Sequence, residues 1–430
     1  MKKVLATVAA LGLVAGVATT ASALDLSVTG VYNVTGTSMN EAIGSGVVLV
    51  DDAGNADEGT DSWYEHTFKM LPTMKVNDNV SMKADIRFAK ATVWGSQEDL
   101  ATSSGGNFNV HKIYMEYMSP VGKIRIGRAE GGAWEGAFLN SSTNADRIMW
   151  WPSMVSGAWS LMLMTEKKTE NDSIGANSHS DSDLYKASLS HKSANGKAAI
   201  AYNYTVDGTP STATPPVQKV KSNKTSKVEL AANYKIADIN FAMEAAHQFG
   251  DKSADANTDY DASALYLHAD KQLGDLNIGA TYVYASGDEA GGTDNEAFMG
   301  TSGLGKDFNP LLILTGDDTG LLNGDTFAAD ADMVDDGVHM IGLFANYKAS
   351  DKLTLNAAIA YAMADEEKIA NQDDDYGVEY NVGAAYKLLD NLTYEVHLGY
   401  LDTGDYFQEG VSGQALHNVT LLTNSLTMTF

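Results

Sequence analysis

The chain of 430 residues contains no cysteine. Disulfide staples and thiolate metal sites are therefore excluded, and stability has to come from elsewhere. Beyond residue 23 it has no uninterrupted apolar stretch of the ~20 residues that a membrane-crossing helix requires. Arginine is scarce: Arg87, Arg125, Arg128 and Arg147 are the complete set, confined to one stretch. With 29 Lys plus Arg against 56 Asp plus Glu, the formal net charge is −27 and there is no basic stripe. Nucleic acid is excluded as a partner, because nothing would neutralise its phosphates. Catalytic motifs are missing too: no His-Glu-x-x-His, no Gly-x-Ser-x-Gly and no phosphate-cradling glycine loop. The nine histidines are scattered, with His247, His268, His339 and His397 inside strand-like segments. No enzyme is expected; a Ser–His hydrolase site assembled in space is the alternative on that side.

What is present begins with an address. Met1-Lys2-Lys3 is a short positive start, Val4 to Val17 is apolar, and Ala21-Ser22-Ala23 is a small-x-small cleavage site. Residues 1–23 read as a removable signal peptide, since the apolar run is too short for a retained anchor. A mature chain starting at Leu24 loses Lys2 and Lys3, which takes the net charge from −27 to −29. Such acidity does not mean disorder, because 44% of residues are hydrophobic and 20 are tyrosine.

The dominant pattern is alternation with period two, the mark of strands whose two faces meet different surroundings. Val80, Met82, Ala84, Ile86 and Phe88 share one face, and Ser81, Lys83, Asp85 and Arg87 the other. The same stripe runs through Val228–Ile236, Leu353–Met363, Val378–Leu388 and Leu392–Tyr400. Short turns such as 76–79, 119–122, 193–196, 273–275, 350–352 and 389–391 alternate with long acidic connections near 37–60, 93–108, 167–182, 207–224, 250–259, 287–336, 364–375 and 402–413. Gly, Asn and Asp populate the short turns, where positive φ is needed.

Short turns at one end and long loops at the other are the signature of a transmembrane antiparallel β-barrel. About 18 strands are expected, or 16 if the weakest pair, near Ile148–Thr165, is one strand. The chain reads as one all-β domain over 24–430, located in the cell outer membrane. A soluble sandwich or propeller is the rival, with the apolar face turned to a dry core. Tyr234, Tyr347, Tyr386 and Tyr400 near strand ends suit an interfacial girdle and tilt the reading to the barrel. The ending Ser425-Leu426-Thr427-Met428-Thr429-Phe430 tilts it further. It resembles the C-terminal signal by which assembly machinery recognises Gram-negative barrels, and lipid and lipopolysaccharide are the other partners that this setting implies.

Gly122-Lys123-Ile124-Arg125-Ile126-Gly127-Arg128 resembles the general porin family, whose fifth strand often reads Gly-x-x-x-x-Gly-Arg. The likeness implies passive diffusion of ions and small polar solutes, a homotrimer, and a third external loop folded into the lumen. Here that loop is 129–146. The pore constriction expected from the likeness comprises Arg87, Lys123, Arg125, Arg128 and Arg147 facing Glu130 and Glu135. Arginine keeps its charge at any working pH and carries a fixed fork of donors, so such a wall sets a transverse field. In the alternative, the arginines pair with Asp85, Glu116 or Asp146 and only stabilise the lumen. Arg128 has the parity of the lipid-facing isoleucines and has to lie at the rim. The other functional alternatives are a selective channel for organic anions or oligosaccharides, and an adhesive barrel with working loops.

Tyr284-Ala285-Ser286-Gly287-Asp288 and Asp307-Phe308-Asn309-Pro310-Leu311-Leu312 resemble alginate-export-like barrels of 18 strands. Alginate itself is disfavoured as a substrate, because a polyanion calls for a lumen rich in arginine and lysine. No cofactor is expected. Asp317-Asp318, Asp330-x-Asp332, Asp335-Asp336 and Asp373-Asp374-Asp375 are hard-oxygen clusters of the kind calcium takes, without the distal Glu of a calcium loop.

Overall fold

The structure is a computed structural model that describes residues 25–40, 42–43, 46–47, 60–95, 109–131, 136–139, 144–170, 181–208, 222–253, 258–299, 304, 308–316, 320–322, 331–368, 372–408 and 416–430. The signal-peptide segment 1–23, Glu135, Asp317, Asp318 and Asp330 lie outside the described residues.

The alternating segments become β1 (Asp25–Met39), β2 (Asp61–Lys75), β3 (Val80–Val93), β4 (Asn109–Ser119), β5 (Gly122–Glu130) and β6 (Asn144–Pro152). They continue as β7 (Trp159–Thr169), β8 (Ser182–Ser193), β9 (Gly196–Asp207), β10 (Asn223–Ile236), β11 (Ile239–Ser253) and β12 (Thr258–Leu273). The last six are β13 (Leu276–Ala285), β14 (Val338–Lys348), β15 (Leu353–Met363), β16 (Asp375–Leu389), β17 (Leu392–Thr403) and β18 (Val419–Thr429). A short helix, α1 (Ala331–Asp336), precedes β14.

All 18 form one antiparallel sheet in chain order, and β1 pairs with both β2 and β18. No edge is left unpaired, which is the condition for a sheet to cross lipid. The count of 18 stands against 16, because Ile148 and Thr165 sit directly opposite each other on separate strands, β6 and β7. At the seam, Gly30 and Phe430 exchange backbone hydrogen bonds of 2.8 and 3.1 Å. The Phe430 ring occupies the space that a Cβ on residue 30 would fill, so glycine there makes room for the terminal ring.

Burial settles which face looks where. Ile341 and Leu343 are 59% and 61% exposed and Val382 54%, although all three belong to apolar stripes. Their inward neighbours Met340, Glu379 and Asn381 are buried. The greasy side therefore faces outward, as a barrel in lipid requires, and the soluble-sandwich alternative is excluded.

One feature runs against a uniformly wet interior. A dry cluster lies inside the barrel, built from wall residues Val283, Met340, Ala360, Leu401 and Leu421 and from Leu311, Ile313, Leu314, Leu321, Leu322, Met333 and Val334 of the 286–337 connection. The described part of the longest loop thus turns inward and packs these apolar residues against the wall. Tyr376 is fully buried there and its hydroxyl donates to Gly337 O at 2.8 Å, fixing α1 beside the cluster.

Candidate functional site

The inward side chains of β2–β5 carry a dense group of charges. Arg125 on β5 reaches Glu116 on β4 at 2.8 Å, and Lys83 on β3 reaches the same carboxylate at 2.7 Å. The guanidinium of Arg125 also lies 4.7 Å over the Tyr114 ring and 5.5 Å over Trp151, while Lys123 Nζ sits 3.8 Å over Trp151. Aromatic faces hold both cations by their quadrupoles and restrict their rotamers. Arg87 meets Asp85 at 3.3 Å, with Lys69 opposite it in register. Lys112 pairs with Glu130 at the end of β5. By parity Glu65 of β2 faces the same way as Lys69, so six bases and four acids share this wall.

The expected constriction set is therefore partly brought together. Arg87, Lys123 and Arg125 share the inward wall. Arg147 is inward but sealed, its side chain 6% exposed, donating to Glu166 at 2.7 Å and to Ala129 O at 2.6 Å. It ties β6 to β7 and to the end of β5. Arg128 lies on the exposed outer face of β5, opposite Asp146 of β6, and is not joined to the lumen group. The pairings of Arg87 with Asp85 and Arg125 with Glu116 are those of the lumen-stabilising alternative; Arg147 takes Glu166 rather than Asp146.

Within the third external connection, Phe138 N–H and Leu139 N–H donate to the Glu244 carboxylate of β11 at 3.1 and 2.9 Å. A Cβ on residue 136 would collide with the same carboxylate, so only glycine lets the loop approach so closely. The described part of 129–146 thus reaches across the barrel interior. Beside it lies a polar cavity of about 630 Å³, whose lining includes Arg147, Lys168, Lys186, Lys227, Lys252, Glu166, Asp207 and Glu229. Lys186 and Lys227 both pair with Glu229, at 3.1 and 2.7 Å.

Two signals in the sequence point to further residues of the interior. Lysines at inward parity, such as Lys83, Lys123, Lys186 and Lys227, add positive charge to the wall despite the scarcity of arginine. Glu244 and Glu379 are single acids among apolar neighbours in mid-strand, and each turns out to hold a loop. Among the described residues no group of carboxylates or histidines is arranged to hold a metal ion. His247 comes within 3.0 Å of Ser263 on the outer face, but Asp261 is 3.8 Å from its other nitrogen, beyond hydrogen-bond reach.

A closed 18-stranded barrel with an apolar exterior and a charged interior crossed by inward loops defines an outer-membrane channel. The sequence pattern of the Gram-negative porins matches residues 6–406, and the chain belongs to that family. No curated protein matches it in sequence. Among solved structures it is similar to OccK9 (OpdG) of Pseudomonas aeruginosa, with TM-score 0.55 and 11% identity, over 94% of this chain and 99% of that one. OccK3 (OpdO) of the same organism gives TM-score 0.55 and 10% identity over 94% and 95%. OpdQ, also of P. aeruginosa, gives 0.52 and 13% over 94% and 98%. At such identities the likeness speaks for the fold.

Proposed function

We propose that this outer-membrane porin passes small polar solutes along the β2–β11 side of its lumen, with a preference for anions. The observation that carries the reading is the inward wall of β2–β5, where Lys69, Lys83, Arg87, Lys112, Lys123 and Arg125 outnumber Glu65, Asp85, Glu116 and Glu130. Inside a narrow lumen, fixed charge acts at close quarters, so its local sign outweighs the overall −27 of the chain. Charge on exposed loops is screened within about 8 Å at physiological salt.

Arg125 and Lys123 are braced on aromatic rings and set the field where the wall is most crowded. Arg147 serves the wall itself. Reversal potential across a potassium chloride gradient tests the reading. Wild type is expected on the anion side, with Arg125→Ala and Lys123→Ala moving it toward cations. A cation-selective wild type, or no movement in either variant, removes the proposal.

The same reading takes the barrel as a homotrimer, seated in lipopolysaccharide, with Phe430 as the residue met by assembly machinery. An aromatic patch on the outer wall at β1–β3 supports the trimer. There Tyr64 stacks on Trp94 at 5.4 Å, Phe68 on Phe88 at 5.2 Å, and Tyr32 edge-on to Phe68 at 6.2 Å. Native mass spectrometry in detergent is expected to give three copies, and a Tyr64→Lys variant one. No resident cofactor enters this reading.

A further inference from the structure

Glu379 lies on the inward face of β16 with no exposed surface, and its hydrogen-bond partners among the described residues are uncharged. A buried carboxylate has to recover its lost hydration from donors. Here the donors are three successive backbone N–H groups of the longest connection: Leu312 at 2.8 Å, Ile313 at 2.9 Å and Leu314 at 2.7 Å. Consecutive N–H groups converging on one anion form a nest, and in this case the anion belongs to the barrel wall.

The segment around this nest is itself ordered by hydrogen bonds. Leu321 N–H donates to Ile313 O and Leu322 N–H to Leu314 O, both at 2.9 Å. Leu311, Ile313, Leu314, Leu321 and Leu322 are each no more than 2% exposed. Glu244 repeats the device for the third loop. The two loops then meet, with the Phe138 and Phe308 rings edge-on at 5.2 Å and both packed on Tyr266 at 5.8 and 5.4 Å.

We propose that Glu379 is a positioning residue for the pore: it fixes residues 311–316, with 320–322 packed on them, inside the barrel as a second constriction element, so that two joined loops set the free cross-section. The proposal rests on the porin reading and is independent of the anion preference. Its chemistry is specific. Glutamine in place of Glu379 would turn an amide donor, or a single weaker acceptor, toward three donors, and the segment would lose its anchor while the barrel keeps its ladder.

The test uses planar-bilayer conductance of the full barrel. Glu379→Gln is expected to raise the unit conductance by about half or more, since conduction follows the free cross-section. It should also admit larger neutral polyethylene glycols. A cross-link supplies the control. A Cβ on Gly399 of β17 would lie 3.2 Å from Leu312 Cβ, about 0.6 Å inside the usual ~3.8 Å of a disulfide, so the loop has to ease outward slightly to form the bond. The chain has no other thiol to compete.

With Leu312→Cys and Gly399→Cys added to Glu379→Gln, oxidation is expected to restore wild-type conductance and reductant to raise it again. Unchanged conductance in a correctly assembled Glu379→Gln barrel overturns the proposal, and so does a rise that persists with the loop cross-linked. If Glu379→Gln fails to assemble, Ile313→Ser with Leu314→Ser attacks the same seat from the loop side under the same two outcomes. A wild-type protein that gives no conductance steps counts against the porin reading itself.

Discussion

Phe138 of the third loop stands edge-on to Phe308 of the longest loop, 5.2 Å between ring centroids, with both rings buried inside the barrel. Neither residue is on a strand. Two connections that begin at separate points of the rim, after β5 and after β13, therefore share one apolar contact in the lumen. Each is also anchored to a wall carboxylate, Glu244 or Glu379, through its own backbone N–H groups.

Truncating the first anchor should cost stability and open the pore. Glu244→Ala orphans the N–H groups of Phe138 and Leu139, a penalty of about 1–3 kcal/mol for buried donors. Urea unfolding in lipid vesicles measures the loss. Conductance of the same variant is expected to rise, as the loop leaves the lumen.

Arg128 and Arg125 are three residues apart and should behave differently. Arg128→Ala is expected to leave the reversal potential at its wild-type value, because that side chain is on the outer face opposite Asp146. An equal shift in both variants would mean that the register of β5 is misread.

Leu343 in the middle of β14 is 61% exposed on the lipid face. Leu343→Arg should destabilise the barrel by about 2–4 kcal/mol, the cost of a cation near the bilayer midplane. A neutral effect in vesicle-based unfolding would place that face in water.

Gly30→Ala forces the Phe430 ring from its seat at the closing seam. A cost of about 1–3 kcal/mol is expected, as for other overpacked sites. The heat-modifiable gel shift of the folded barrel should then appear at lower temperature than in wild type.

At the mouth, burial pushes the Glu366 carboxyl above its ordinary value of 4.5, and Asp365, Glu289, Glu296 and Glu367 push it further. The native loop then binds this proton more tightly than an opened loop does. Local stability should therefore fall as pH rises from 4.5 through the raised value, and be fully present below 4.5. Hydrogen exchange at residues 288–296 and 364–368, corrected for intrinsic rates, is expected to slow on acidification. Glu366→Gln should abolish that dependence.

Much of this was legible before any coordinates. Alternation in Val80–Phe88 or Val378–Leu388 is a property of local backbone geometry, so the strands and their two faces follow from residue order alone. The rhythm of turns and loops supplied topology, and the Gly122–Arg128 resemblance supplied the family. The count of about 18 strands matches the barrel, and the one stretch that left 16 open, Ile148–Thr165, has a turn, 153–158, longer than the other hairpin turns. The arginine cluster was visible, but the division of labour within it was not. Arg147 is sealed by a carboxylate 19 residues away, and Arg125 stands on a tryptophan that only the pairing of β5 with β6 brings beneath it.

The amino-acid order by itself determined a closed barrel, its outer-membrane setting and the inward parity of its lysines, because period-two patterning needs no long-range information. Only the tertiary structure decided that residues 308–316 and 320–322 of the longest connection would turn inward. That outcome depends on Glu379 and Leu312–Leu314 meeting across 65 to 67 positions of chain, and a carboxylate can recruit backbone donors only once the barrel has closed around both.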